Sequence, residues 1–289
     1  MDRKELYASV TAQVVEQIEA GAPAWRMPWH AIADAGEPVN ALTRQPYRGG
    51  NHLVFGMVAV VRGWSGGHWA TYKQWRALDA QVRRGERATH GVKWSPVEDR
   101  LTGERRLVPF CFAVFSSAQV DGWEAPEPIE RDTPERIAVA DRFFSALGSD
   151  VRHGGNRAAY VPSGDYIIVP DLAQFERATD YYATTAHEHA HWSGHEKRLG
   201  RDLSGRFGTD AYAAEELIAE LSAAFTCARL GISTVPRPDH AAYLNSWLRV
   251  LRADTSALFH AASKAQAATD YLAERANLAE AEQRAEVAA

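Results

Sequence analysis

The pentapeptide His187-Glu188-His189-Ala190-His191 constrains this chain more than any other segment. On a helix, residues i and i+4 lie one above the other on the same face, so His187 and His191 direct their rings to one spot. That spacing lets two imidazole nitrogens reach a single Zn²⁺ at about 2.0–2.1 Å. Glu188, one residue on, lies close enough to act on a water there as general base without ligating the ion. Ala183, Thr184, Thr185, Ala186 and Ala190 are small, which suits a closely packed interior helix, and Gly194 closes it.

A catalytic zinc needs a third protein ligand and one open position. The helical pattern over 212–225 offers Glu216 and Glu220, i,i+4 partners flanked by apolar residues. Buried carboxylates are costly unless paired or metal-bound. One is therefore expected to ligate and the other to orient a histidine. Glu220 is preferred as ligand, with Glu216 as the alternative. His189 falls off the ligand face and reads as solvent-exposed or as a partner behind the metal site. His195 continues the i+4 series but lies past the Gly194 turn, and position 197, where some zinc proteases carry a third histidine, is Lys197. Tyr212 reads as a packing residue that could also offer a hydroxyl to a developing oxyanion.

At 289 residues the chain suits two domains better than one core. The composition is that of a folded protein, 46% hydrophobic and 24% charged. Its net charge of −5 is unevenly spread. Residues 1–124 carry 15 Lys/Arg against 13 Asp/Glu, whereas 125–289 carry 17 against 24. Within 62–106 there are 10 basic and 5 acidic residues. A mildly basic half followed by an acidic one fits two separate tasks. Cys111 and Cys227, far apart, make neither a ligand pair nor a disulfide framework, which points to a reducing cytoplasm. The most apolar stretch, 53–61, is far shorter than the ~20 residues that cross a bilayer, so no membrane association is expected.

The fold class reads as α+β: an N-terminal α/β half, then a mainly helical half with a small sheet. Domain boundaries are expected at 1–124 and 132–289, with 125–131, acidic and proline-punctuated, as linker. In the first half, helices are expected at 4–20 and 52–62, and a short one after Thr71 as N-cap. β-type runs cover 91–94 and 106–115. In the second, a helix is expected at 134–147, strands at 157–161 and 166–169, and helices near 172–194, 210–230, 238–253 and 254–277. The Ala/Glu-rich tail beyond 277 reads as a fraying helix end.

The first half also places aromatics beside basic or amide side chains. Such parts hold single-stranded nucleic acid: aromatic faces stack bases, Lys and Arg follow phosphates, and glycines let backbone N–H groups approach. The candidates are Trp25, Trp29, Tyr47, Arg48, Asn51, Trp69, Tyr72, Lys73, Gln74, Arg83, Arg84 and Arg87. Against this stands the plain reading that most tryptophans are core and that Arg83, Arg84 and Arg87 mark a solvated turn.

Taken together, these segments resemble the ArdC-type antirestriction proteins of conjugative plasmids and related mobile elements. The resemblance is carried by Ile18-Glu19-Ala20-Gly21 with Pro23, Trp25 and Pro28-Trp29; by Tyr47-Arg48-Gly49-Gly50-Asn51; by Trp69-Ala70-Thr71-Tyr72-Lys73-Gln74; by Val82-Arg83-Arg84-Gly85-Glu86; by His187 to His195 with Arg198-Leu199; and by 212–225. It implies an N-terminal single-stranded DNA-binding domain joined to a C-terminal zincin-like metallopeptidase domain. The implied cofactor is zinc, with manganese as the other candidate. The implied partners are single-stranded DNA, with duplex DNA as the other candidate, and a host restriction protein as protease substrate. The implied role is protection of incoming DNA from restriction, with a non-catalytic, structural metal site as the rival reading. Ser116-Ser117 departs from the family's pattern, in which an asparagine is expected.

Overall fold

Leu6, Val10 and Val14 recur every fourth residue, and all three are buried along one side of α1 (Arg3–Glu19). The computed structural model describes residues 3–19, 36–64, 67–98, 105–124, 126, 132–205, 209–233 and 240–288. Trp25 and Trp29 lie outside the described residues.

The chain next forms β1 (Val39–Asn40), α2 (Gly50–Arg62) and β2 (His68–Ala70). Thr71 then caps α3 (Tyr72–Ala77) as the sequence suggests: its hydroxyl accepts from the N–H of Gln74, and the Gln74 side chain accepts from the N–H of Thr71. After β3 (Gln81–Val82), the two apolar runs form a long antiparallel ribbon, β4 (Thr89–Glu98) with β5 (Arg105–Ser116), and β6 (Val120–Asp121) pairs back with β3. The four-stranded sheet has the order β1-β2-β5-β4. At the departure from the family pattern, Ser116 accepts from the N–H of Ala118 and is held by the Gln119 side chain.

Thr133 and Pro134 start α4 (Pro134–Ala146), with the Thr133 hydroxyl accepting from the N–H of Arg136. Strands β7 (Asp150–His153), β8 (Ala159–Val161) and β9 (Tyr166–Val169) make a small sheet of order β7-β9-β8, in which β8 is an edge. The continuous helix expected over 172–194 is broken. Residues 172–174 form one 3-10 turn, Phe175 and Arg177 are extended, and α5 (Ala178–Ser193) starts afterwards. Helices α6 (Asp210–Leu230), α7 (His240–Ala253) and α8 (Ala257–Ala288) complete the chain, and the last runs on past residue 277. Among the described residues no helix is long and apolar enough to cross a membrane.

The largest hydrophobic cluster crosses the 125–131 segment. It joins Leu6, Val10 and Val14 of α1, Leu53 and Phe55 of α2, and Trp69 to Leu217, Leu221 and Phe225 of α6, Trp247 of α7 and Leu258 of α8. Tyr7 stacks on Phe259 at 3.8 Å. The Arg48-Gly49-Gly50-Asn51 segment is a clasp in this joint. Arg48 pairs with Asp270, the N–H of Gly49 donates to Gln266 at 2.9 Å, and Asn51 exchanges two 2.8 Å bonds with the backbone of Val92. A Cβ on Gly50 would lie 2.7 Å from the Phe259 ring, so this position needs glycine for space.

Candidate metal centre and nucleic-acid surface

From Ala213 onward α6 is buried nearly all round, so three of its glutamates, Glu215, Glu216 and Glu220, are carried into the interior. Interior carboxylates need cations or strong donors, and α5 supplies them. Nε2 of His187 and Nε2 of His191 face each other at 3.1 Å. Glu216 reaches both, with Oε2 3.5 Å from His187 Nε2 and Oε1 3.4 Å from His191 Nε2. Each far ring nitrogen meets a different carboxylate. His187 Nδ1 lies 3.1 Å from Glu220 Oε1, and His191 Nδ1 lies 3.3 Å from Glu215 Oε1.

Glu215 accepts at His191 Nδ1 and the Glu220 carboxylate lies beside His187 Nδ1, which favours a neutral imidazole's proton on that side and leaves Nε2 as a lone pair. Two such lone pairs and a carboxylate then converge on one point, an arrangement that requires protons or a cation between them. His187, His191 and Glu216 each offer a ligand atom, and these lie within 4.8 Å of one another. Two nitrogens and one oxygen in a buried, partly open position suit a borderline divalent ion. Sequence spacing favoured Glu220 as the third ligand. The structure puts Glu216 beside the converging nitrogens and Glu220 behind His187, where it orients the ring. The reason is the azimuth of α6: one turn separates the two glutamates, and the earlier turn is the one level with the histidines.

The electrostatics follow the same plan. Burial opposes a charge on His191, but Glu215 and Glu216 overcome it and raise the imidazole to about 10. Burial likewise raises Glu216, and the two histidines more than reverse this, holding its carboxyl far below the usual range. Glu215 is shifted down despite its burial by His191 and by Arg201, whose guanidinium donates at 2.8 Å to Oε1 and 3.1 Å to Oε2. Arg201 also reaches Ser193 Oγ at 3.0 Å. A Cβ on Gly194 would lie 2.8 Å from the Arg201 guanidinium, so Gly194 makes room for this ion pair as well as ending the helix. Sequence reasoning missed Arg201; three interior glutamates on one helix were the signal that a nearby arginine had to answer them.

Glu188 is buried, and its Oε2 accepts the backbone N–H of Tyr160 at 2.8 Å. Tyr160 belongs to edge strand β8, and its hydroxyl donates to Asp165 at 2.9 Å. Asp165 is held at about 2, chiefly by Arg198, which also lies over the Trp192 ring. Ala158, Ala159, Tyr160, Pro162, Leu203 and Tyr212 wall a cavity of about 280 Å³ that opens onto His187, Glu188 and His191. Tyr212 also packs on the main core, as expected. His195 takes no part in the metal cluster and accepts the N–H of Lys197 at 3.2 Å.

The exposed reading of His189 is corrected: its residue is fully buried. Its Nδ1–H donates to the carbonyl of Thr185 at 2.8 Å, and its Nε2 accepts from Ser149 at 2.8 Å. Burial lowers its pKa to about 4. Neutral His189 pins the back of α5 to the loop before β7.

The nucleic-acid candidates divide in two. Trp69 is 0% exposed and stacks on Phe55 in the core, so its proposed base-stacking role is corrected to packing. Tyr47 is half-buried, accepts from Asn40 at 2.9 Å and meets Phe55 edge-on. Arg48 and Asn51 belong to the clasp described above, and Gln74 to the α3 cap. Arg83 spends its guanidinium on the carbonyls of Ala118 and Val120 and the carboxylates of Glu86 and Asp121. Tyr72, Lys73, Arg84 and Arg87 are exposed.

A family described as the N-terminal domain of anti-restriction factor ArdC matches residues 4–132, and a zincin-like metallopeptidase family matches 138–264. An uncharacterized protein of Sinorhizobium fredii, y4eC, is 47% identical over 93% of this chain and 91% of its own length. The DNA primase TraC of Escherichia coli is 34% identical, but this chain spans only 20% of it. Crystal structures of the antirestriction ArdC protein from plasmid R388 superpose at a TM-score of 0.76 for a metal-free form (40% identity, 94% of this chain and 97% of that one). An Mn(II)-bound form of the same protein gives 0.77 (37% identity, 96% and 98%). With the two family matches covering successive halves and whole-length relatives at this identity, the chain belongs to the ArdC antirestriction proteins, in which an ArdC N-terminal domain precedes a zincin-like metallopeptidase domain.

Proposed function

We propose that this protein binds single-stranded DNA and carries a metal-dependent peptidase centre, and that together these protect incoming mobile-element DNA from host restriction. The observation that carries the peptidase reading is the convergence of His187, His191 and Glu216 beside a cavity that Glu188 also lines. His187, His191 and Glu216 would hold a divalent ion, zinc or manganese, which supplies Lewis acidity toward a water and a peptide carbonyl. Glu188 takes the proton from the attacking water and passes it to the departing amine. The Tyr160 N–H holds the Glu188 carboxylate against β8 while it does so. Glu215 with Arg201, and Glu220, keep the two imidazoles turned inward.

The test is to incubate purified full-length protein with host restriction subunits, with and without added Zn²⁺ or Mn²⁺. Metal-dependent fragments are expected, and their absence with every subunit under both metals counts against hydrolysis. A second reading, in which the ion only braces the fold, draws on one observation: the donors join α5 to α6, so an ion there ties two core helices together. Protection without fragments, lost when DNA binding is lost, would favour it.

A further inference from the structure

Arg83, Arg84, Gly85 and Glu86 form a tight turn in which the N–H of Glu86 donates to the carbonyl of Arg83 at 3.3 Å. Gly85 sits at φ +89, a conformation side chains avoid, and this fixes which way the turn projects Arg84. Arg83 pairs with both nearby acids, Glu86 and Asp121. Glu86 is further satisfied by Gln119, at 2.9 Å. Arg84 and Arg87 are exposed and have no ion pair among the described residues. Arg62 ends α2 beside them, with its guanidinium 6.0 Å from the Trp64 ring.

Two adjacent concavities share Glu86. One is lined by Arg62, Trp64, Gly85 and Arg87, the other by Tyr72, Arg84 and Phe115. Each sets an aromatic face beside an exposed arginine, Arg87 in the first and Arg84 in the second, that makes no ion pair among the described residues, with Glu86 on both walls and Asp121 on the second. The wider groove between α1, β4 and α8 differs: there Arg48 is spent on Asp270, and Asp254 lies on its wall.

We infer that the face running from Arg62 and Trp64 over the Arg84–Arg87 turn to Tyr72 and Lys73 is where single-stranded DNA lies. Arg62, Arg84, Arg87 and Lys73 follow the phosphates, while Trp64 and Tyr72 stack bases. This rests on the single-strand-binding reading above and adds Arg62 and Trp64 to its contacts.

The test is fluorescence anisotropy of the full-length protein with a labelled oligothymidylate across a range of KCl concentrations. R84A/R87A is expected to flatten the slope of log affinity against log salt by about 1.4, at ~0.7 per lost phosphate contact. R84E/R87E should weaken binding at least ~10-fold, and Trp64→Leu about 10-fold. All three variants, and R105E/R106E on the β4–β5 ribbon as charge control, are first matched to wild type in unfolding midpoint. If wild type fails to bind, the single-strand reading itself falls, and this face with it. If wild type binds and R84E/R87E binds as well, the face is wrong while the reading stands. Equal weakening by R105E/R106E, or displacement of the DNA by polyglutamate at matched charge, also overturns it.

Discussion

The backbone N–H of Tyr160 donates to Oε2 of Glu188 over 2.8 Å, so an edge strand and the metal-site helix meet at the residue assigned to proton transfer. Glu188→Gln keeps an oxygen for that N–H and should fold normally with unchanged metal content. It should lose hydrolysis by about 10²–10⁴-fold, the usual share of a general base. Elemental analysis alongside fragment formation checks this; retained cleavage removes Glu188 from the chemistry.

Glu216 and Glu220 separate by what each touches. Glu216→Gln removes the charge and replaces one of the two oxygens that face the Nε2 atoms with an amide nitrogen, and should sharply lower the bound metal per chain. Glu220→Gln leaves the donors in place and loosens only the His187 ring, an effect typically about 10–100-fold in affinity. Competitive titration with a metal-binding dye measures both. The reverse ranking would restore Glu220 as ligand.

His191 gives the centre a pH dependence of definite sign. Its folded-state pKa, raised to about 10, lies above its ordinary 6.5. The proton therefore stabilises the chelated protein fully below pH about 6.5, and that contribution is lost as pH rises through about 10. A divalent ion must displace the same proton, so metal affinity should rise with pH over this window. Melting curves of chelated and metal-loaded protein should diverge as pH increases; parallel curves would contradict the assignment.

Trp69 is a core residue, and Trp69→Ala should cost about 3–5 kcal/mol of stability. Trp69→Phe should retain the fold and, at saturating salt dilution, wild-type affinity for oligonucleotide. A selective loss of binding in a stably folded Trp69→Phe protein would return it to the DNA surface.

Residues 1–124 expressed alone would uncover Leu6, Val10, Val14, Leu53 and Phe55, which share a cluster with α6, α7 and α8. Such a fragment should bind a hydrophobic dye and unfold without a sharp transition. A cooperative melt would show that the N-terminal half carries a sufficient core by itself.

Features set within a few residues were legible in the chain. The four-residue step from His187 to His191 is a property of any helix, and the Thr71 cap and the 210–230 span of α6 are equally local. The aromatic-basic windows of the first half were read less well, because the same residue types serve a core and a stacking surface. Trp69 is buried by Phe55 and Trp64, whereas Tyr72, three residues on, is 48% exposed.

His189 shows where local information stops. Its position off the ligand face follows from helical geometry, but that Phe144 and Ser149 cover this face comes from α4 and the loop after it. The choice between Glu216 and Glu220 is of the same kind. It turns on the rotation and offset of α6 against α5, about one 5.4 Å turn, and no short-range pattern encodes it. The spacing of the histidines thus specified that an ion-binding face exists; the packing of helices distant in sequence decided which carboxylate completes it and which arginine supports it.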